Sequence, residues 1–373
     1  MFRRFFILGN GLSYMTFTSL TALALPRHLA LMGGLAVFSG MIVRIMISIR
    51  VPDVPDPRKA HSVTTPKSGG VGIVCAFLLG VVLLYLYGHA SRLADSYFIG
   101  VIAAAVLIAL VSLLDDIRNM PYTVKLGGQL LAAITAVASG LWVHDITVPY
   151  YGVLSLGWAG LPLTICFLLF TTNALNFIDG LDGLAGGVTL ITCLFLSVIT
   201  GPRGDFFVYT ASLLLAGGVL GFFPFNFPKA RIFMGDVGSQ FCGFMLALFG
   251  IAAARFEHIP LSFLLVPFLL SGVLYDVAFT LVRRTLAREN IARAHNGHLY
   301  QVVRRAGMSP LHVALIHWLF VVIGGVTAII FIDSAPQNRF WIGLLPLVVQ
   351  IIWTIYVFYR AHKAGLTSWS KTA

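Results

Sequence analysis

Apolar segments of nearly constant length recur along the whole chain and are separated by short polar breaks. Most approach the about 20 residues that a helix needs to cross a bilayer. They lie at 29–49, 69–88, 96–114, 124–143, 157–175, 184–200, 207–225, 238–254, 259–282, 313–333 and 340–359. Because backbone groups in lipid must bond within the protein, the pattern predicts an all-α fold, a polytopic membrane helix bundle of about eleven transmembrane helices.

The composition excludes an ordinary soluble protein. Only 10% of the 373 residues are charged and 58% are hydrophobic, whereas soluble domains carry roughly 25% charged residues. The net charge of +11 is typical of basic cytoplasmic loops, and we expect no nucleic-acid partner. The four cysteines all lie in apolar segments, which indicates helix packing rather than disulfides or a metal site.

The distribution of Lys and Arg predicts the orientation. These residues concentrate in alternate breaks, whereas the remaining breaks contain only Arg92, Arg203, Arg255 and Arg339. The basic set is therefore expected in the cytoplasm. We expect an N-terminal extension or extra helix at 1–28, a transmembrane domain at 29–360 and a basic cytoplasmic tail at 361–373.

Asp115 and Asp116 form the first group of chemical interest, at the predicted cytoplasmic end of a helix. Adjacent carboxylates repel each other, and an apolar setting makes it costly to ionise both. A metal ion or a basic partner offsets that cost. The alternative is an ordinary solvated helix end, although carboxylates at a membrane edge are by default functional.

The stretch NALNFIDGLDGLAGG forms the second group. Asn173 and Asn176 are three positions apart on a helix end and face one side. Asp179 and Asp182 repeat this spacing in a glycine-rich turn that lets a ligand approach closely. Amides and carboxylates on one rim suit a metal with phosphate or a nucleotide, and the plainer alternative is an Asx-rich turn.

The segment from Asn226 to Ser239 forms the third group. Asp236 precedes a helix start, so it is either an N-cap or a ligand of a hard cation such as Mg²⁺. Lys229 and Arg231 supply positive charge nearby. Phe233 either stacks on a base or serves in packing.

Two further loops belong to the same predicted side. Lys67 precedes Gly69 and Gly70 in a basic loop that either holds a lipid phosphate or is only a topology signal. His295 and His298 are three positions apart and can face one site, where histidine donates hydrogen bonds to phosphate or shuttles a proton. No zinc site is expected there, because other ligands are lacking nearby.

Together these groups hold the carboxylates, amides and cations required for metal-assisted phosphoryl transfer. A transporter is the rival from another class, but transporters place polar groups near the bilayer midplane. In this sequence only Arg44 and Asp276 are charges placed inside a span. A CDP-alcohol phosphotransferase is the rival enzyme, and the residues after Asp182 and Gly183 lack the arginine that its motif needs.

The aspartate pair, the NALNFIDGLDGLAGG stretch and the MGDVGS stretch, in this order, resemble the polyprenyl-phosphate N-acetylhexosamine-1-phosphate transferases, over roughly residues 29–360. The resemblance implies transfer of a sugar 1-phosphate from a UDP-N-acetylaminosugar to undecaprenyl phosphate, with release of UMP. It implies Mg²⁺, with Mn²⁺ as an alternative, and a cytoplasmic site on a multi-pass protein of the bacterial inner membrane. Membrane lipid and a second copy, as a homodimer, are further expected partners.

The resemblance also implies residue roles. Asp236 corresponds to the Mg²⁺ ligand of the family. Catalytic roles are expected for Asp115, Asp116, Asp179, His295 and His298. Substrate binding is expected for Lys67, Asn173, Asn176, Asp182, Asn226 and Phe233.

Two motifs are more similar to the O-antigen and exopolysaccharide-initiating branch than to the muramoyl-pentapeptide branch. The loop with His295 and His298 reads HNGHLYQ rather than a run of adjacent histidines, and the loop with Lys67 reads TPKSGG. We therefore expect the product to start a lipid-linked cell-surface polysaccharide such as lipopolysaccharide O-antigen. The donor sugar stays open.

Overall fold

A computed structural model describes residues 13–53, 65–87, 96–148, 150, 152–204, 206–255, 261–290 and 295–366. Within these ranges the chain is almost entirely helical, which confirms the predicted all-α class. The helices are α1 (Ser13–Ile49), α2 (Gly70–Tyr87), α3 (Ser96–Arg118), α4 (Tyr122–Ala138), α5 (Gly160–Ile178), α6 (Leu184–Thr200), α7 (Phe206–Asn226), α8 (Gly235–Arg255), α9 (Leu265–Leu269), α10 (Ser271–Leu286), α11 (Leu299–Arg305), α12 (Pro310–Asp333) and α13 (Pro336–Lys363).

Two small antiparallel hairpins complete the described structure. β1 (Pro52–Asp53) pairs with β2 (Thr65–Pro66) at the end of α1. β3 (Asp145–Val148) pairs with β4 (Gly152–Ser155) between α4 and α5. Both hairpins connect helices and form no larger sheet within the described ranges.

Eight helices in the described part of the chain are long and apolar enough to cross a membrane. Two shorter apolar helices, α2 and α4, accompany them. The polytopic architecture is thus confirmed, and the number eleven stays a prediction. The predicted span 259–282 is divided, because the chain leaves helical geometry at Leu270 between α9 and α10. Residues 259 and 260 of that span lie outside the described ranges.

The first helix differs from the expected boundary at residue 28. α1 begins at Ser13 and continues through Pro26 to Ile49 over 37 residues. At about 1.5 Å per residue this helix exceeds the about 30 Å of a bilayer core. Residues 13–28 therefore continue the first helix, whose candidate membrane span is Leu25–Ile49. A separate unit at 1–28 stays a prediction, and residues 1–12 are not described.

α8 is the central helix of the bundle. Every residue from Val237 to Ala253 is buried, and α8 packs against α2, α3, α5, α6 and α7. Gly70 and Gly238 permit a close approach of α2 and α8, since a Cβ on Gly70 would lie 2.2 Å from the Gly238 Cα. The polar residues of α8 lie only near its two ends. Those near its first turn therefore lie together at one end of the bundle.

The segment around Lys67 is fastened to the start of α8 by backbone hydrogen bonds. Phe233 donates its N–H to the carbonyl of Pro66 at 2.8 Å, and its own carbonyl accepts from the Gly69 N–H at 2.9 Å. Gly70 donates to the Met234 carbonyl at 2.8 Å. These bonds fix the loop before α2 beside the first turn of α8.

Candidate functional site

The first turn of α8 holds Asp236 in a fixed orientation. Its Oδ1 accepts a hydrogen bond from Asn176 Nδ2 at 3.0 Å. Its Oδ2 accepts from Gln240 Nε2 at 3.0 Å and from Lys125 Nζ at 3.1 Å. The Asp236 side chain is 25% exposed, so this carboxylate is held from α4, α5 and its own helix and still reaches the surface.

Lys125 bridges two carboxylates at the same place. Its Nζ lies 2.5 Å from Asp115 Oδ2 and 3.1 Å from Asp236 Oδ2. Asp115 Oδ1 accepts from the Met120 N–H at 2.7 Å. Lys125 is 27% exposed, whereas the Asp115 side chain is 5% exposed. Two like charges are therefore brought together around one ammonium group that solvent can reach.

Asp116 points to the beginning of α8 rather than to the surface. Its Oδ1 accepts from the Asp236 N–H at 3.0 Å, and its Oδ2 accepts from the Val237 N–H at 3.2 Å and from Ser68 Oγ at 3.1 Å. Lys67 Nζ lies 3.8 Å away. A carboxylate at a helix N-terminus satisfies free N–H groups and favours the helix dipole. Asp116 thus anchors the turn that carries Asp236.

A buried chain of amides lies behind Asp236. Gln129 Nε2 donates to Gln240 Oε1 at 2.9 Å and to Asn173 Oδ1 at 3.2 Å, and Asn173 Nδ2 returns a bond to Gln129 Oε1 at 2.7 Å. Ser112 Oγ donates to Gln240 Oε1 at 3.0 Å. These bonds leave the Gln240 amide only one orientation, with its NH₂ group directed at Asp236.

The charges of this cluster favour a bound cation. Three carboxylates, Asp115, Asp116 and Asp236, face two ammonium groups, Lys67 and Lys125, and uncompensated charge is costly at a site that is largely buried. Among the described residues, no three His, Cys, Asp or Glu side chains are arranged to hold a metal ion. Mg²⁺ commonly needs only one or two carboxylates together with substrate phosphates and water. Asp115 and Asp236 fit that requirement.

The α5–α6 turn is tied to the loop after α7. Asn226 Oδ1 accepts from the Gly183 N–H at 2.9 Å, and its Nδ2 donates to the Ile232 carbonyl at 3.0 Å. Asp182 Oδ2 accepts from the Ala230 N–H at 3.0 Å. Gly183 has φ +73°, a conformation that favours glycine. Both predicted substrate-binding side chains therefore fasten two loops together.

The histidine segment lies beside the end of α5. The His298 ring centre is 5.7 Å from that of Phe177, and the His295 and His298 rings stack at 4.9 Å. Burial, assisted by the positive charges of two nearby arginines, Arg283 and Arg284, lowers the pKa of His295 to about 4. Phe177 adjoins Asn176, so the last turn of α5 has the Asp236 cluster on one side and the histidines on the other.

The structure thus joins several predicted residues into one network. Asp236 forms hydrogen bonds directly with Asp116 and Asn176. Lys125 connects Asp236 to Asp115, and Asp116 connects it to Lys67. Asn173 is connected to Asp236 through Gln129 and Gln240. Asp179 follows α5 and is half-buried, as is the side chain of Phe233.

Several residues of the network were not predicted as site residues. They are Ser68, Ser112, Lys125, Gln129, Ser239 and Gln240. A signal was present for three of them, Lys125, Gln129 and Gln240. Lys125 with Gln129, and Asp236 with Gln240, are polar pairs four positions apart in otherwise apolar helices, and such pairs share one helix face.

A comparison with known proteins identifies the family. The model of a family described as glycosyl transferase family 4 matches residues 98–254, which include Asp115, Asp116, Lys125 and Asp236. Probable undecaprenyl-phosphate N-acetylglucosaminyl 1-phosphate transferase of Bacillus subtilis (strain 168) is 30% identical over 318 residues, covering 85% of this chain and 86% of that protein. The chain belongs to glycosyl transferase family 4. The predicted family is confirmed, and its O-antigen branch stays a prediction.

Two further relatives are similar to the chain over most of their length. Decaprenyl-phosphate N-acetylglucosaminephosphotransferase of Mycobacterium tuberculosis (strain ATCC 25618 / H37Rv) is 32% identical over 364 residues and 90% of both chains. A phospho-N-acetylmuramoyl-pentapeptide-transferase of Acetivibrio thermocellus is 32% identical over 308 residues, 76% of this chain and 86% of that protein. The chain is therefore a multi-pass membrane protein of a family of phosphosugar transferases.

Proposed function

We propose that this protein transfers an N-acetylaminosugar 1-phosphate from a UDP-sugar to undecaprenyl phosphate and releases UMP. In the net reaction a lipid phosphate oxygen forms a bond to the phosphorus that carries the sugar. The bond between that phosphorus and the oxygen bridging to UMP breaks, and UMP leaves with that oxygen. The observation that carries the proposal is the Asp236 and Lys125 pair, partly exposed at the edge of an otherwise buried network of charges.

Each charged residue of the cluster has a distinct role in this proposal. Lys125 and Lys67 offset the negative charge of the phosphates, because cations aimed at a transferring phosphoryl group stabilise the transition state. Asp115 and Asp236 would hold Mg²⁺, or Mn²⁺, together with the substrate phosphates. The bound ion supplies further positive charge at the diphosphate. Asp116 keeps Asp236 in place through the start of α8.

The asparagine side chains have two kinds of role in this proposal: contact with the substrate, or support of neighbouring residues and loops. Asn176 bonds directly to Asp236 and lies where it can also meet the diphosphate. Asn173 bonds to Gln129 and to its own helix, so we assign it a supporting role. Asn226 uses both ends of its amide on backbone groups and acts on the nucleotide through the shape of the loops.

The donor nucleotide is assigned to the rim formed by the α5–α6 turn and the segment before α8. Asp179 and Asp182 belong to that turn, and we assign stacking on uracil to Phe233, which is half-buried. His295 and His298 lie on the other side of α5. With its pKa lowered to about 4, His295 is neutral at physiological pH and contributes hydrogen bonding rather than charge.

We place this site at the cytoplasmic face of the bacterial inner membrane, because the loops that carry it hold most of the Lys and Arg. UDP-N-acetylglucosamine is the first donor to consider, since two of the relatives are named for N-acetylglucosamine transfer. The HNGHLYQ and TPKSGG motifs favour the start of a lipid-linked polysaccharide such as O-antigen over peptidoglycan.

The test is a panel of UDP-N-acetylaminosugars with the purified protein in lipid nanodiscs, undecaprenyl phosphate and Mg²⁺. UMP and a lipid-linked sugar phosphate are expected with at least one donor, and a chelator should stop the reaction. Asp236→Asn and Asp115→Asn should each abolish turnover in folded protein. Asp333→Asn is the matched control, because Asp333 pairs with Arg203 at the opposite end of the bundle and its loss should leave turnover unchanged.

Folded protein that releases UMP with none of these donors would refute the proposal. The rival activity has its own readout in the same preparation. A transporter reconstituted in liposomes would accumulate a UDP-sugar or a sugar phosphate without releasing UMP, and its uptake would be independent of undecaprenyl phosphate.

A further inference from the structure

Asp276 is a buried carboxylate of α10 that the proposed reaction does not yet use. Its side chain is 2% exposed. Its Oδ1 accepts from the Leu299 N–H at 2.8 Å and from Thr280 Oγ1 at 3.2 Å, and its Oδ2 accepts from the Tyr300 N–H at 3.1 Å. Such a concentration of donors around both oxygens is typical of an ionised carboxylate with a fixed orientation.

The same carboxylate fixes the ring of His298. His298 Nδ1 lies 3.3 Å from Asp276 Oδ1. Because an ionised carboxylate only accepts hydrogen bonds, the Nδ1 atom of His298 must carry the hydrogen in this contact. Nε2 is then the ring nitrogen left for a substrate. A carboxylate that holds a histidine in one tautomer and one orientation is a recurrent support for catalytic histidines.

Asp276 also positions Tyr300, which reaches the end of α5. Tyr300 Oη donates to the carbonyl of Phe177 at 2.8 Å. A Cβ on Gly180 would lie 2.4 Å from Tyr300 Oη, so the tyrosine packs directly on the turn that begins with Asp179. One buried carboxylate therefore connects the histidine segment with the turn assigned to the nucleotide sugar.

We infer that Asp276 is a positioning residue for the sugar-phosphate transfer, which orients His298 and, through Tyr300, supports the Asp179–Asp182 turn. The inference rests on the proposed function. It concerns α10 and α11, which lie outside the residues matched by the family model.

The test compares Asp276→Asn with His298→Ala and with the double variant. Asparagine has one acceptor oxygen in place of two, so it must place an NH₂ group against the Tyr300 N–H or against the donors at Oδ1. We expect kcat to fall at least about tenfold with little change in KM for the UDP-sugar. If Asp276 acts through His298, the double variant is no slower than His298→Ala alone.

Thr327→Val is the control for a change in a buried polar residue. Thr327 is buried, and its hydroxyl donates to the Ile323 carbonyl of its own helix, so its replacement should leave kcat unchanged. Hydrogen exchange of a peptide covering residues 295–305 gives a readout independent of turnover. Faster exchange is expected in Asp276→Asn than in Thr327→Val, because the backbone N–H group of Leu299 or of Tyr300 loses its acceptor.

Different results separate the inference from the function on which it rests. If the wild-type protein turns over and Asp276→Asn has an unchanged kcat, the inference alone is overturned. Losses of kcat that add up in the double variant would overturn it as well. Wild-type protein that releases no UMP would overturn both. If Asp276→Asn does not fold, Tyr300→Phe removes the bond to Phe177 and should lower kcat several-fold, and unchanged kinetics would then refute the inference.

Discussion

Replacing Asp116 by asparagine tests how the network holds Asp236. The carboxylate accepts from the N–H groups of Asp236 and Val237 and from Ser68 Oγ. An asparagine keeps one acceptor and presents an NH₂ group on the other side. The Ser68 hydroxyl can turn to accept from that group, but a backbone N–H cannot, so one buried N–H at the start of α8 loses its acceptor.

The expected cost follows from these bonds. A hydrogen bond to a charged group contributes about 1.5–3 kcal/mol, and a negative charge at a helix N-terminus adds about 0.3–1 kcal/mol. The variant should thus lose about 2–4 kcal/mol of the free energy that holds the first turn of α8. If this free energy is lost entirely from the orientation of Asp236 that is active in catalysis, turnover decreases about 30- to 1,000-fold.

The assay combines UMP release with thermal unfolding in the same detergent. We expect Asp116→Asn to lose turnover strongly and to unfold at a lower temperature than the wild type. Asp333→Asn, whose exposed ion pair with Arg203 contributes about 0–1 kcal/mol, should change neither quantity much. If Asp116→Asn has the same turnover and unfolding temperature as the wild type, the start of α8 does not depend on this carboxylate.

Two further predictions concern packing and pH. Gly70→Ala should destabilise the protein by about 1–3 kcal/mol or more, because its Cβ would lie 2.2 Å from the Gly238 Cα. Gly127→Ala is the control, since a Cβ on Gly127 meets nothing within 4 Å. In thermal unfolding this control should be neutral or slightly stabilising. The pKa of His295 is lowered from 6.5 to about 4, so on acidification the unfolded chain takes up a proton before the folded protein does. The free energy of unfolding should therefore fall as the pH falls from about 6.5 to 4. The unfolding temperature of His295→Gln should depend less on pH over this range, and the same pH dependence as in the wild type would contradict the lowered pKa of His295.

The sequence predicted most helices because apolar length and polar breaks are local properties. The predicted span 184–200 coincides with α6, and 157–175 overlaps α5 with a shift of three residues. The division at Leu270 was not predicted, since the residues around it are as apolar as their neighbours. The continuation of α1 before residue 29 was left open, because polar side chains interrupt the apolar pattern there.

The site was predicted only in part for a related reason. The carboxylates and asparagines stood out as polar residues in apolar surroundings, but a single sequence does not show which helices face each other. In the sequence Lys125 is only one of the basic residues that indicate topology, although in the structure it joins Asp115 and Asp236. The anchoring of α8 by Asp116 depends on a contact 120 positions away along the chain, which no local motif reveals.

In the proposed reaction the phosphate next to the sugar travels with it to the lipid. UDP-N-acetylglucosamine labelled with ³²P in the β-phosphate tests this directly, in nanodiscs with undecaprenyl phosphate and Mg²⁺. The label should move into the lipid fraction, unlabelled UMP should be released, and Asp236→Asn should stop both. Label that stays in UDP while the sugar moves to the lipid would refute the proposed reaction, since it would mean transfer of the sugar without its phosphate.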